Sequence, residues 1–250
     1  GATATYTVTF TANGSVPVGE WTFGDLTWKG TGGYAARSPI ALKGSSIGAP
    51  SAIAGTGTSG SATFDIDFGY SGQYAAAPHG LSPEVLLSGT ITQDPDQTYP
   101  SPDDTPAGVV RLPITLTGAA FARIELVVPG DDDLDLYLED EGGNTVATST
   151  SGATDEHIDL MLPADGNYTL VVHGWAVVGT LAFDVSTWVV PLAAGGTLAI
   201  DAAPTEAVIG TTAQVTVSWS GLEAGASYLG AVSHSDDSGI LGLTLVSVTT

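Results

Sequence analysis

Apolar side chains fall on every second residue in segment after segment of this chain. Tyr6, Val8 and Phe10 alternate with threonines, and Phe64, Ile66 and Phe68 alternate with Thr63, Asp65 and Asp67. Leu134, Leu136 and Leu138 alternate with Asp133, Asp135 and Tyr137, and Tyr168, Leu170 and Val172 keep the same period. A two-residue period puts one set of side chains on one face of a β-strand, so each run predicts a half-buried strand. Turn signals separate the runs, among them Gly142-Gly-Asn144, Pro163-Ala-Asp-Gly166 and Asp236-Asp-Ser-Gly239. Gly118–Val128 is alanine-rich, yet Ala120, Ala122, Ile124, Leu126 and Val128 again have period two, so it reads as a strand. No segment carries a helical period over an ordinary helix length. Short strands at roughly ten-residue spacing make sandwiches or jelly rolls. The expected fold class is all-β, with tandem β-sandwich or jelly-roll modules.

Two stretches interrupt the strand pattern. Residues 44–62 are rich in Gly, Ser, Ala and Thr and read as a flexible linker. Thr92–Gly108 holds Pro95, Pro100, Pro102 and Pro106 with Asp94, Asp96, Asp103 and Asp104, and reads as a boundary or a long ordered loop.

Charge narrows the function. Five Lys and Arg stand against 27 Asp and Glu, a formal net charge of −22. Such a surface repels nucleic acid and anionic membranes and collects divalent cations. No apolar run approaches the ~20 residues of a membrane helix, so no membrane insertion is expected. There is no cysteine, so stability must come from packing or a metal. The first five residues lack the basic start and apolar core of a signal peptide, so the sequence reads as part of a longer, processed product.

Carboxylates are the main candidates for chemistry. Asp94, Asp96, Asp103, Asp104, Asp131, Asp132, Asp133, Asp135, Glu139, Asp140 and Glu141 crowd one window. Hard oxygen ligands from one loop and one strand entrance suit calcium, which takes six to eight oxygens. The EF-hand spacing is absent. Asp133 and Asp135 share the strand face opposite Leu134 and Leu136, so both could point at one ion. Glu139–Glu141 read as a solvated turn. His157 reads as solvent-facing and His173 as a packed structural histidine. Ser233-His-Ser-Asp-Asp237 holds the residue types of a hydrolytic triad, but neighbours in a strand point to opposite faces and cannot form the relay. Trp21, Trp28, Tyr70, Tyr74 and Trp175 form the alternative: exposed aromatics that stack on a carbohydrate or other polymer.

Several motifs also resemble known families. Trp21-Thr-Phe-Gly-Asp-Leu-Thr-Trp-Lys-Gly30 and Ala36-Arg-Ser-Pro-Ile-Ala-Leu42 resemble the closing strands of the fibronectin III-like domain of subtilisin-like serine peptidases. Asp132-Asp-Leu-Asp-Leu-Tyr-Leu138, Gly142-Gly-Asn144 and Gly166-Asn-Tyr-Thr-Leu-Val-Val-His-Gly174 resemble the bacterial pre-peptidase C-terminal domain. Gly196-Thr-Leu-Ala-Ile200, Val217-Ser-Trp-Ser-Gly-Leu222 and Tyr228-Leu-Gly-Ala-Val232 resemble the Ig-like module that follows it in actinobacterial subtilases. The resemblance implies three modules: residues 1–92 as a fibronectin III or Ig-like sandwich, 93–190 as a jelly roll, and 191–250 as an Ig-like sandwich. The first would be completed by residues 46–92. Gly57-Thr-Ser-Gly-Ser-Ala62 is similar to a subtilase serine loop, but its partner segments are absent, so no enzymatic activity is expected. What is implied is an extracellular, non-catalytic accessory region. Its partners would be the catalytic peptidase domain of the same polypeptide and an insoluble protein or polysaccharide substrate. The resemblance assigns candidate calcium ligands to Asp131, Asp132, Asp133 and Asp135, with Asp94 and Asp96 as loop partners.

Overall fold

The computed structural model describes the chain apart from residues 1, 2, 4, 12, 14, 15, 102, 103, 129, 153 and 154. Among the described residues there are strands and no helix. A first hairpin pairs β1 (Trp21–Lys29) with β2 (Ala35–Lys43). Then come β3 (Ile47–Gly48), β4 (Ala52–Thr56), β5 (Gly60–Phe68), β6 (Gly72–Gln73) and β7 (Ala75–Pro83). A central group follows: β8 (Val85–Thr92), β9 (Val109–Leu116), β10 (Ala119–Val127), β11 (Asp133–Glu139), β12 (Thr145–Ser149), β13 (Asp155–Met161), β14 (Gly166–Ala176) and β15 (Thr180–Pro191). The last are β16 (Leu198–Ala202), β17 (Glu206–Ala207), β18 (Thr212–Trp219), β19 (Ser227–Asp236) and β20 (Gly239–Thr249).

The central group forms a sandwich of its own. One sheet has the order β13-β10-β15-β8 and the other β12-β11-β14-β9. The alternation read in the sequence builds its core. Leu134, Leu136, Leu138, Leu170 and Val172 pack with Ile124, Leu126, Phe183 and Val185. Leu134, Leu136 and Leu138 are fully buried. Each buried leucine contributes about 1.5–3 kcal/mol by leaving water.

The remaining strands make a second sandwich from two separated stretches. Its sheets are β16-β18-β5-β3 and β4-β20-β19-β7, with β17-β6 as a short ribbon. Phe64, Ile66, Phe68, Val215, Val217, Trp219 and Val246 fill its core. Strand pairing therefore corrects the expected boundaries at 92/93 and 190/191. Residues 47–83 do not complete a sandwich with the first hairpin. They pair with residues 198–249, Phe64 opposite Val215 and Ala231 opposite His79, and the central sandwich is inserted between β7 and β16. The stretch 44–62 is no linker either. It supplies β3, β4 and the start of β5. Its small residues give a weak local strand signal, and its partners β18 and β20 lie far away in sequence.

The two sandwiches are joined by more than a linker. Phe121, Trp188 and Val190 of the central one pack on Leu229, Ala231 and Leu245 of the other. The Ser82 hydroxyl donates to the Val189 carbonyl at 2.8 Å, and Glu84, between β7 and β8, accepts from Ser186.

Candidate cation site

Because Leu134, Leu136 and Leu138 point into the core, Asp133, Asp135, Tyr137 and Glu139 lie on the outer face of β11. The loop of residues 93–108 crosses this face. Its Tyr99 ring lies 4.7 Å from Tyr137 and 5.9 Å from His173. The Tyr99 hydroxyl bonds Glu139 and accepts from Arg111 at 3.2 Å. Burial first, then nearby carboxylates, push the Tyr99 and Tyr137 hydroxyls up to about 12. The loop is pinned at the end of β14. The Asp94 N–H donates to Gly174 O at 2.8 Å, Gly174 N–H donates to Gly108 O at 2.9 Å, and Gln97 Nε2 donates to Trp175 O at 2.8 Å. A Cβ on Gly174 would lie 2.2 Å from Thr92 O, and one on Gly108 would lie 2.7 Å from Asp94, so only glycine lets the loop dock this closely.

Docking gathers three carboxylates. Donor oxygens of Asp94, Asp96 and Asp104 lie within 4.8 Å of one another. Asp94 is fully buried, and its Oδ2 has no hydrogen-bond partner. Backbone and hydroxyl donors fix the rest: Ser101 N–H donates to Asp104 Oδ1 at 3.1 Å, Ser101 Oγ to Asp96 Oδ2 at 2.6 Å, and Thr98 N–H to Asp96 Oδ1 at 3.1 Å. Burial raises the Asp94 carboxyl above the usual carboxylate range, and the adjoining Asp96 carboxyl adds to the rise. The Ser101 hydroxyl and then Asp94 hold Asp96 below that range. A buried oxygen without a hydrogen bond, beside two further carboxylates, is a place that suits a hard divalent cation.

His173 stands behind this cluster, fully buried. Its Nδ1 lies 3.4 Å from Asp135 Oδ2 and its Nε2 3.6 Å from Asp94 Oδ2. Burial works to lower its pKa, but the hydrogen bond and charge of Asp135 and the charge of Asp94 outweigh that and raise it. The sequence anticipated a packed histidine here; its position between two aspartates needed the β11–β14 register, in which Asp135 sits opposite His173.

The candidate ligands thus separate. Asp94 and Asp96 come together, joined by Asp104, and Asp103 lies outside the described residues. Asp135 reaches the cluster only through His173. Asp133 lines a separate groove with Asp135. Asp131 is exposed, and Asp132 Oδ1 accepts the Val178 N–H at 2.8 Å, closing the end of β11. Asp140 Oδ1 accepts the N–H groups of Gly142 and Asn144, so Glu139–Glu141 lead into a closed hairpin turn. Of the aromatic candidates, Tyr74 is buried at 3% exposure and Tyr70 half-buried, because both pack against Phe68.

The serine and histidine residues separate by strand face as expected. Ser233 bonds His79 Nε2 at 2.9 Å, whereas its neighbour His234 bonds Tyr74 on the other side of β19. His157 is exposed on β13.

Residues 114–174, running from β9 to β14, match the family of the bacterial pre-peptidase C-terminal domain. The chain carries a pre-peptidase C-terminal domain. The match includes Asp135 and His173 but not the acidic loop before β9. Pyrolysin from Pyrococcus furiosus is 39% identical over 62 residues, 24% of this chain and 4% of pyrolysin, so the chain spans a small part of that relative. Among solved structures, the pre-peptidase C-terminal domain of collagenase from Bacillus anthracis aligns over 44% of this chain and 90% of its own, with a TM-score of 0.32 and 14% identity. PliG from Aeromonas hydrophila, a periplasmic inhibitor of g-type lysozyme, aligns over 44% and 87%, with a TM-score of 0.28 and 12% identity. No helix among the described residues is long and apolar enough to cross a membrane.

Proposed function

We propose that this chain is a non-catalytic accessory region of a secreted subtilisin-like peptidase, with calcium clamping its acidic loop to the pre-peptidase C-terminal domain. The gathering of Asp94, Asp96 and Asp104, with the Asp94 Oδ2 buried and without a hydrogen bond, carries the calcium reading. Its oxygen-only donor set suits calcium rather than a soft metal. The match over residues 114–174 and the similarity to pyrolysin support the accessory reading. The peptidase would lie in the same polypeptide, outside the cell. Bound calcium would neutralise the crowded carboxylates and fix the loop that carries Tyr99 across β11.

The test is calorimetry of the 250-residue chain in chelator and in millimolar calcium, with a casein-hydrolysis assay alongside. A ligand of the native state stabilises it by about 2.7 kcal/mol at a hundredfold excess over Kd. The melting temperature is expected to rise with calcium, the Asp94→Asn variant is expected to lose that rise, and casein is expected to stay intact. An unchanged wild-type melting temperature rejects the calcium clamp, and hydrolysis rejects the accessory role.

A second reading, an adhesive or polymer-binding module, is favoured by the first hairpin. There Trp21, Phe23 and Tyr34 are 59, 75 and 80% exposed. Retention of the chain on insoluble collagen or chitin, lost in Trp21→Ala, supports it; no retention rejects it.

A further inference from the structure

On the outer face of β11, a groove of about 370 Å³ runs between Trp175 on one side and Thr150–Gly152 on the other, with Asp133, Asp135 and Tyr137 on its floor. The volume lies within the ~300–1,000 Å³ of small-ligand sites. Two observations say what the groove lacks. Asp133 Oδ1 is buried there without a hydrogen-bond partner. Among the described residues, the positive group that meets Asp135, itself only 5% exposed, is His173. Burial raises the Asp133 carboxyl, and the charges of Asp135 and Glu156 add to it. Glu156 is itself occupied, accepting from Ser149 and Ser151, so it adds charge to the groove without offering a free oxygen.

Apart from His173 on Asp135, no basic side chain among the described residues of the central sandwich answers this charge. Its two arginines are Arg111 and Arg123. Arg111 lies over the Tyr99 ring, and Arg123 is on the other sheet, paired with Asp159. Asp133 and Asp135 are also not part of the set of three acidic groups close enough to share an ion, which among the described residues is Asp94, Asp96 and Asp104. The groove instead offers spread-out negative charge beside aromatic walls, with Trp175 41% exposed. Aromatic faces attract a desolvated cation, and a guanidinium both stacks on them and forks onto a carboxylate.

We propose that this groove binds an arginine side chain of a polypeptide partner or substrate, with Asp133 as its carboxylate anchor and Trp175 as its stacking wall. The proposal is independent of the calcium clamp. The test is titration of the full chain, in buffer with calcium, with a fluorescent Gly-Gly-Arg-Gly-Gly peptide and with its lysine and citrulline counterparts. The arginine peptide is expected to bind with submillimolar Kd. Citrulline, neutral and of the same shape, is expected to bind at least tenfold more weakly, and lysine in between. Asp133→Asn and Trp175→Ala are each expected to weaken arginine binding tenfold or more. Asp133→Asn removes an unpartnered charge, so it should melt no lower than wild type, which separates lost binding from lost folding. Glu206→Gln, an exposed carboxylate on β17 in the other sandwich, is expected to leave Kd unchanged. No binding of the arginine peptide, equal binding of citrulline, wild-type affinity in Asp133→Asn, or equal weakening in Glu206→Gln would each overturn the proposal.

Discussion

His173 in the central sandwich and His234 in the outer one are both fully buried on inner strands of four-stranded sheets. Their surroundings differ in kind. His173 lies between two carboxylates, Asp135 and Asp94, and its pKa is raised despite burial. His234 bonds hydroxyls, those of Tyr74 and Thr244. Thr244 Oγ1 donates to the Pro50 carbonyl at 2.8 Å, so it accepts from His234 Nε2 at 2.9 Å, which leaves Nδ1 to accept from the Tyr74 hydroxyl at 2.7 Å. This chain of donors assigns a neutral imidazole, and burial lowers its pKa to about 4. Burial alone does not decide what an interior histidine does. The charge of its partners does.

Removing each ring is the strongest way to break the comparison. His173→Ala would leave Asp94 and Asp135 as buried carboxylates without the imidazole that lies between them. Breaking a buried ion pair from one side costs about 3–5 kcal/mol. His234→Ala leaves Thr244 bonded to Pro50 and strands only the Tyr74 hydroxyl, a cost of about 1–3 kcal/mol plus the cavity. Denaturant unfolding at neutral pH in chelator measures both. A larger loss in His234→Ala would mean that the carboxylates do not depend on His173.

Acid separates the two by sign. His234 has a folded pKa of about 4, below its unfolded value of ~6.5. The unfolded chain therefore binds the proton first, and stability that is full above pH ~6.5 is lost as pH falls towards 4. The shift corresponds to about 3 kcal/mol across that window. His234→Gln cannot titrate there. Its unfolding free energy is expected to vary less between pH 6.5 and 4 than that of wild type, and equal slopes would remove His234 as the source.

Much of the fold was legible because alternation is local. Leu134, Leu136 and Leu138 declare a half-buried strand, and Gly142-Gly-Asn144 with Asp140 declares its hairpin. Pairing partners are not local. Nothing near Phe64 announces Val215 across a 151-residue separation, so the insertion of one sandwich into the other was invisible. The cation loop was half legible. Its acidic content pointed to a hard cation, but which carboxylates meet depends on Gly108 and Gly174 letting the loop dock. Asp131 and Asp132 carry the same sequence signal as Asp94 and Asp96; they part because the end of β11 turns Asp132 onto Val178. The histidines were the least legible, because their character comes entirely from neighbours on other strands.

The gentlest test breaks a charge pair that is better bonded but more exposed. Arg123 on β10 holds Asp159 on β13 by two hydrogen bonds, Nε to Oδ1 at 2.8 Å and an Nη to Oδ2 at 2.7 Å. That geometry is better than anything His173 makes. Yet the two side chains remain 25 and 34% exposed, so water solvates both charges when the pair breaks. Asp159→Asn is therefore expected to cost within about 1 kcal/mol, and less in molar salt, where exposed pairs are screened. Arg123 also keeps Glu125 at 3.6 Å and its place over the Phe121 ring after the change. A cost for Asp159→Asn as large as that for His173→Ala would show that hydrogen-bond geometry, rather than burial, sets the worth of charge pairs in this sandwich.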